Sequence, residues 1–243
     1  VDATVELSLE PGWHDVWMSV AGGLSVRGRV FVVADDQELG IICDVDDTIM
    51  VTALPRPLLA AWNSFVRDEH ARRPVPGMAV LLERMVRQHP GCPVIYLSTG
   101  AWNVQPTIIR FLKRHLYPMG SLLLTDWGPT ADRFFRSGRQ HKKDSLERLA
   151  RDFPTIKWIL IGDDGQHDEE LYGSFAMKHP DQVRAIAIRE LLAPEALLAG
   201  GRSHRDRTAN PDTTPWVSAP NGAGLAVELA KLGVLEWPDH SPE

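Results

Sequence analysis

The chain has 243 residues, 44% hydrophobic and 24% charged, enough to bury a substantial core in one main globular domain with appendages. Its formal net charge of -6 supplies no global basic field, so nucleic acid is not expected as a partner and any anionic partner must be held locally. Cys43 and Cys92 form no metal-ligand spacing and read as buried reduced thiols; no apolar run approaches the roughly 20 residues of a membrane span and no leader pattern opens the chain, so a soluble, cytoplasmic protein is expected.

From Val1 to about Asp36 the pattern is of short β segments, Ala3 to Leu9, His14 to Val20 and Leu24 to Val33, separated by Pro11-Gly12 and Gly22-Gly23. Residues 1–38 are therefore expected to form a small β appendage. The opening on Val1, inside strand-like alternation, suggests an end trimmed from a longer protein. Next comes Gly40-Ile41-Ile42-Cys43-Asp44-Val45-Asp46-Asp47-Thr48, an apolar strand that ends in three carboxylates and a threonine.

Beyond it, strand-like runs at Pro93 to Leu97, Ser121 to Thr125, Trp158 to Ile161 and Val183 to Ile188 alternate with helix-period segments near Pro57 to Arg67, Met78 to Gln88, Val104 to Leu116, Lys143 to Asp152 and Asp168 to Lys178. Such alternation predicts an α/β fold of repeated βα units on a parallel sheet. Residues 39–192 form the expected core. Gly200 to Thr214 reads as a linker, and Trp216-Val217-Ser218 with Gly222 to Leu232 as one more strand and a terminal helix, so residues 193–243 extend the core.

Four chemically loaded groups fall after successive strands: Asp44, Asp46 and Asp47; Ser98 with Thr99 and Gly100; His141-Lys142-Lys143 at an expected helix start; and Asp163, Asp164 and Asp168. In a parallel sheet these ends share one edge and can converge on one pocket. Crowded carboxylates need a cation or protons to coexist, and oxygen ligands suit Mg²⁺. A hydroxyl and main-chain amides suit a phosphoryl oxygen, and a lysine completes an anion clamp. One free aspartate can then act as nucleophile and another as acid/base, which together describe a phosphatase working through an aspartyl-phosphate.

The chain resembles the haloacid dehalogenase (HAD) superfamily: Asp44-Val45-Asp46-Asp47-Thr48 matches its DxDxT signature, Tyr96-Leu97-Ser98 its second-strand serine, Lys142 its lysine, and the run from Gly162 to Asp168 its GDxxxxD motif. Within that superfamily the wording IICDVDDTIMVT, VPGM, YLSTGAW, HK and IGDDGQHDEELY is similar to the catalytic domain of the actin-patch phosphatidate phosphatases and their bacterial relatives. The relatives usually read GDSGQ and SNS where this chain has Gly162-Asp163-Asp164-Gly165-Gln166 and Ser98-Thr99-Gly100.

The resemblance implies a HAD-like Rossmannoid sheet with a minimal cap. Asp44 would be the nucleophile and a Mg²⁺ ligand. Asp46 would be the acid/base, with its main-chain carbonyl on the metal, and Asp163 the third protein ligand. Asp164 or Asp168 would bind the metal directly or through water, and Ser98 and Lys142 would hold the phosphoryl group. Thr48 would fix the loop carrying Asp46, and Asp47 would be scaffolding. Thr99, Gly100, Arg136 and Arg189 are further candidates for substrate contact.

In that superfamily caps select substrates, and here Ile49 to Pro76 leaves room only for a flap and one helix, while Gly128 to Gln140 reads as a loop. The expected open site suits a large substrate or a headgroup at a membrane surface, which favours phosphatidate hydrolysed to diacylglycerol and phosphate. The segment Arg133-Phe134-Phe135-Arg136-Ser137-Gly138-Arg139 joins aromatics to arginines, one way to meet an anionic lipid surface; both Phe packing underneath is the plainer alternative. Two other readings stand beside it: another large or soluble phosphomonoester as substrate, and a phospho-accepting signalling module without turnover. A second acid two residues after the first favours turnover.

Overall fold

An apolar strand flanked on both faces by helices needs no polar side, and the run before Asp44 meets that condition at the centre of a sheet. The computed structural model of the protein describes residues 9–19, 22–51, 72–125, 131–165, 167–198 and 214–236, with side chains described for all of these except 131–137 and 198. Its strands are β1 (Gly12–Met18), β2 (Val26–Val32), β3 (Leu39–Asp44), β4 (Met50–Val51), β5 (Arg73–Pro74), β6 (Val94–Ala101), β7 (Ser121–Thr125), β8 (Lys157–Asp163), β9 (Val183–Arg189) and β10 (Trp216–Ala219). Its helices are α1 (Met78–Gln88), α2 (Gln105–Arg114), α3 (Ala131–Asp152), α4 (Asp168–Lys178), α5 (Ala193–Leu198) and α6 (Gly222–Lys231).

Six strands form one sheet in the order β10-β9-β8-β3-β6-β7, parallel at every pairing. The fold is thus the expected Rossmann-like α/β sheet flanked by helices. Because side chains alternate along a strand, each face of β3 feeds a different core. Ile41 and Cys43 join Tyr96, Ile159 and Ile161 against α1, α2 and α6, where Leu82, Ile108 and Leu225 are buried. Ile42 joins Leu97, Leu160 and Ile186 against α3 and α4, through Leu146, Leu149, Leu171 and Phe175. Both cysteines are free and buried; burial pushes the Cys92 thiol up to about 12 and the Cys43 thiol well above its ordinary value.

Two glycines set the approach of α1 to α6. Gly77 has φ 76°, and a Cβ on it would lie 2.7 Å from the Ala223 main-chain nitrogen, while one on Gly222 would lie 2.3 Å from the Gly77 carbonyl carbon. Only residues without a side chain let these helix starts meet there.

β1 and β2 pair antiparallel in a sheet of their own, with Trp17, Met18, Leu24 and Val26 exposed around it. A Trp13–Phe31 ring contact and Arg29 over Trp13 stiffen one face of it. β4 and β5 pair antiparallel at the root of the expected flap. The expected strand from Ala3 lies almost wholly outside the described residues, as do the expected helix Pro57 to Arg67 and nearly all of the Gly200 to Thr214 linker.

One element departs from expectation. The segment read as a loop up to Gln140 is helical from Ala131, so Lys142 lies in the middle of a 22-residue helix and not at a helix start. Gly138 weakens any helical reading of the sequence, but the space it leaves is used: a Cβ there would sit 2.9 Å from Thr99 Cγ2, so glycine lets α3 press against the end of β6. The segment Arg133 to Arg139 is likewise helical rather than a loop, and Arg136 is in it; the Arg136 side chain lies outside those described.

Candidate active site

β3 delivers Asp44 at its last position, β6 delivers Ser98, β8 ends on Asp163, α4 begins with Asp168, and α3 carries Lys142 across their shared edge. The Lys142 ammonium stands 2.7 Å from Asp44 Oδ1 and donates to Asp168 Oδ1 at 2.6 Å. Carboxylate oxygens of Asp44, Asp163 and Asp168 come within 4.8 Å of one another. Asp163 Oδ1 accepts from the Gly165 amide at 2.8 Å, and its Oδ2 accepts from Thr48 Oγ1 at 3.3 Å. Thr48 therefore ties the loop after β3 to the loop after β8.

These acids are almost wholly shielded: Asp44 is 2% exposed, Asp163 0% and Asp168 1%, against 5% for Lys142. Burial pushes the Asp44 carboxyl well above the usual carboxylate range, with Asp168 and Asp46 adding to the rise and Lys142 opposing it. Burial does the same to Asp163, reinforced by Asp168 and Asp44. For Lys142 burial would lower the pKa, but the paired Asp168 and Asp44 carboxylates overcome it and hold the ammonium above its ordinary value. Three acids share one lysine, and Asp44 Oδ2 and Asp168 Oδ2 are buried without a hydrogen-bond partner. An all-oxygen set with such free lone pairs fits a hard divalent cation.

Beside the cluster, Ser98 Oγ donates to Asp46 Oδ2 at 3.1 Å and accepts from the Gly100 amide at 3.0 Å. Thr125 Oγ1 donates to the Thr99 and Gly100 carbonyls at 3.2 and 3.3 Å, fixing the irregular end of β6. Asp47, expected as scaffolding, adopts φ 57° and is buried.

Two expected contacts fall elsewhere. Asp164 is outside the three-acid cluster: its Oδ1 accepts from the Leu191 amide at 2.8 Å and its own amide donates to the Arg189 carbonyl, so it braces the turn after β9. Arg189 does not offer its guanidinium to the pocket, because it is buried against Glu195 Oε2 and the Asp47 carbonyl, both at 2.6 Å. Sequence reasoning also passed over Tyr117, whose hydroxyl donates to the Ile49 carbonyl at 2.8 Å and secures the far side of the loop after β3. Nothing in the spacing flags Tyr117; Glu195, six residues after a strand-ending arginine, was a usable signal for the Arg189 pair.

A parallel sheet whose carboxyl edge gathers a buried acid triad, a lysine and an acid–serine pair has the chemistry to hold a phosphoryl group beside a cation. The family described as the catalytic domain of phosphatidate phosphatase APP1 matches residues 39–190, more than half of the chain. The chain belongs to that family. It is similar to phosphatidate phosphatase APP1 of Saccharomyces cerevisiae, 28% identical over 156 residues that make up 62% of this chain and 26% of that protein. An uncharacterised protein of Schizosaccharomyces pombe is 25% identical over 170 residues, 66% of this chain and 26% of that protein. The chain thus spans about a quarter of the length of either relative. Among the described residues no helix is long and apolar enough to cross a membrane.

Proposed function

We propose that the chain is a Mg²⁺-dependent, HAD-type phosphatase domain that hydrolyses phosphatidate to diacylglycerol and inorganic phosphate through an aspartyl-phosphate. The observation that carries the mechanism is the adjacency of two differently placed acids: Asp44 in the buried cluster against Lys142, and Asp46 two residues on, held by Ser98. Environments that separate two carboxylates suit one as nucleophile and the other as proton carrier.

A free Asp44 carboxylate oxygen attacks phosphorus while the ester oxygen–phosphorus bond breaks, and Asp46 gives its proton to the departing alkoxide. Asp46 then takes a proton from water, whose oxygen attacks the same phosphorus. The phosphorus–Asp44 oxygen bond breaks, releasing inorganic phosphate and restoring both acids. Lys142 and the Ser98 hydroxyl orient the phosphoryl oxygens, and the Thr99–Gly100 main chain lies beside them. Asp44, Asp163 and Asp168 would hold Mg²⁺, with the Asp46 carbonyl as a further ligand. When bound, the ion offsets the charge of the acids and of the phosphoryl group.

The activity for which the yeast relative is named supports phosphatidate over other monoesters. A domain meeting a membrane-borne headgroup would use the basic and aromatic stretch of Arg133 to Arg139, which supports peripheral lipid contact from the cytoplasm. Phosphate release is measured on phosphatidate vesicles, lysophosphatidate, phosphopeptides and nucleotides. Asp44→Asn is expected to abolish release with the fold intact, and full residual turnover removes the nucleophile assignment. Activity on soluble esters with none on lipids replaces the lipid substrate by another phosphomonoester.

A further inference from the structure

Arg189 ends β9, and its side chain is 2% exposed. All three guanidinium nitrogens reach protein acceptors: Nη1 the Asp47 carbonyl at 2.6 Å, Nη2 Glu195 Oε2 at 2.6 Å, and Nε the Pro220 carbonyl at 3.4 Å. Glu195 Oε2 also accepts from the Leu192 amide at 2.9 Å, so the carboxylate that orients the arginine is itself fixed.

The residue at the other end of this contact is unusual. Asp47 is a non-glycine residue at φ 57°, between Asp46 and Thr48. A left-handed conformation is disfavoured for an L residue, less so for aspartate than for most, and is kept where hydrogen bonds hold the flanking peptides. Here both peptide groups of Asp47 are held: its amide donates to the Met50 carbonyl at 2.8 Å, and its carbonyl accepts from Arg189. The enforced turn sends the Asp46 carboxylate toward Ser98 and the Thr48 hydroxyl toward Asp163. Without the arginine, the peptide between Asp47 and Thr48 can rotate and relax, and Asp46 loses its bearing.

We propose that Arg189, oriented by Glu195, is a positioning residue for the general acid/base: it clamps the strained Asp47 peptide so that Asp46 faces the leaving oxygen. This rests on the phosphatase reading above. The same segment also braces the acidic loop, through the Leu191 amide on Asp164 and the Asp164 amide on the Arg189 carbonyl. One turn after β9 thereby sets both catalytic loops.

The test compares wild type with the double variant Arg189→Met/Glu195→Leu, because removing a buried ion pair as a unit spares the fold the uncompensated charge that a single deletion leaves. Amide exchange over residues 44–50 is read first, needing no activity. It is expected to accelerate at least about tenfold while β8 is unchanged. Next, kcat/KM is compared on p-nitrophenyl phosphate, whose leaving group needs little protonation, and on an alkyl phosphate, which needs it fully. The variant is expected to lose at least about tenfold more on the alkyl ester, within the 10²–10⁴ range that acid/base catalysis supplies. Unchanged exchange overturns the clamp, and equal losses on both esters overturn the link to Asp46. If the double variant does not fold, Arg189→Lys, which keeps the buried charge but loses the fork, is held to the same two outcomes. Should wild type release phosphate from neither these esters nor phosphatidate vesicles, the phosphatase reading fails, while the exchange measurement still decides whether Arg189 holds the loop.

Discussion

The helix pair α3 and α4 is joined by two lysine–carboxylate contacts of the same length, and they could hardly differ more in consequence. Lys142 meets Asp168 at 2.6 Å with side chains 6% and 1% exposed; Lys178 meets Glu147 at 2.6 Å with side chains 62% and 29% exposed. Distance alone therefore says little about an ion pair. In the first, water is excluded and three acids compete for one ammonium, so the pair is a condition for the acids being there at all. In the second, solvent screens both partners and either can leave at small cost.

The sharpest way to break the comparison is Lys142→Met. The change takes from Asp44 and Asp168 the ammonium that both contact, and stripping one partner from a buried pair costs about 3–5 kcal/mol. Urea unfolding of the cation-free variant is expected to show a loss of that order near neutral pH, with phosphate release falling at least about 10³-fold. A loss under about 1 kcal/mol would mean that the acids do not depend on the lysine.

The next effect comes from pH and cation together. Asp44 and Asp163 have carboxyl pKa values raised above the ordinary range, chiefly by burial. A raised acid is a group whose native form holds its proton longer than the unfolded form does. Its stabilising contribution is complete below the unfolded carboxyl value and disappears as pH rises through the raised native value. The cation-free protein is thus expected to lose stability on going from mildly acidic to mildly alkaline solution. Mg²⁺ takes the deprotonated acids, so it is expected to raise Tm more at pH 8 than at pH 5, with proton release on binding. At a hundred times its Kd a ligand adds about 2.7 kcal/mol, easily seen by calorimetry. A Mg²⁺ increment that shrinks as pH rises would contradict the acid cluster as the site.

The same contrast explains what the sequence disclosed. β3, β6, β8 and β9 were legible because strands covered on both faces have apolar runs that stop abruptly at Asp44, Ser98, Asp163 and Arg189. The convergence of Asp44, Ser98, Lys142, Asp163 and Asp168 follows from parallel topology, which spacing announces. The start of α3 was not legible: Arg, Ser and Gly138 mark a loop by local preference, and the helix is favoured by contact with β6, which local preference does not register. Likewise, Arg189 and Asp164 carry the right chemistry for substrate or metal, but their destinations were fixed by the Asp47 carbonyl and the Leu191 amide. Side-chain to main-chain contacts between distant segments leave no periodic trace. Residue type thus located the site, and only packing separated the acids and bases that meet in the cluster from those that hold loops.

The smallest expected effect tests the exposed half of the comparison. The Lys178 hydrogen bond holds the Glu147 carboxyl below its ordinary value, with His179 as a second contact at 3.2 Å. Lys178→Met removes the ammonium but leaves His179 in place and Glu147 in reach of water, so neither desolvation nor an orphaned charge follows. Exposed pairs are worth a few tenths of a kcal/mol and are weakened by salt. The variant is expected to stay within about 0.5 kcal/mol of wild type, equivalent to roughly 1–2 °C in Tm for a chain this long, and to converge on it in high salt. Turnover should not change, because this contact lies ten residues along α4 from Asp168 and touches no residue of the site. A loss comparable to that of Lys142→Met would show that the α3–α4 seam acts as a unit, with exposed and buried contacts coupled through the helices rather than set apart by solvent.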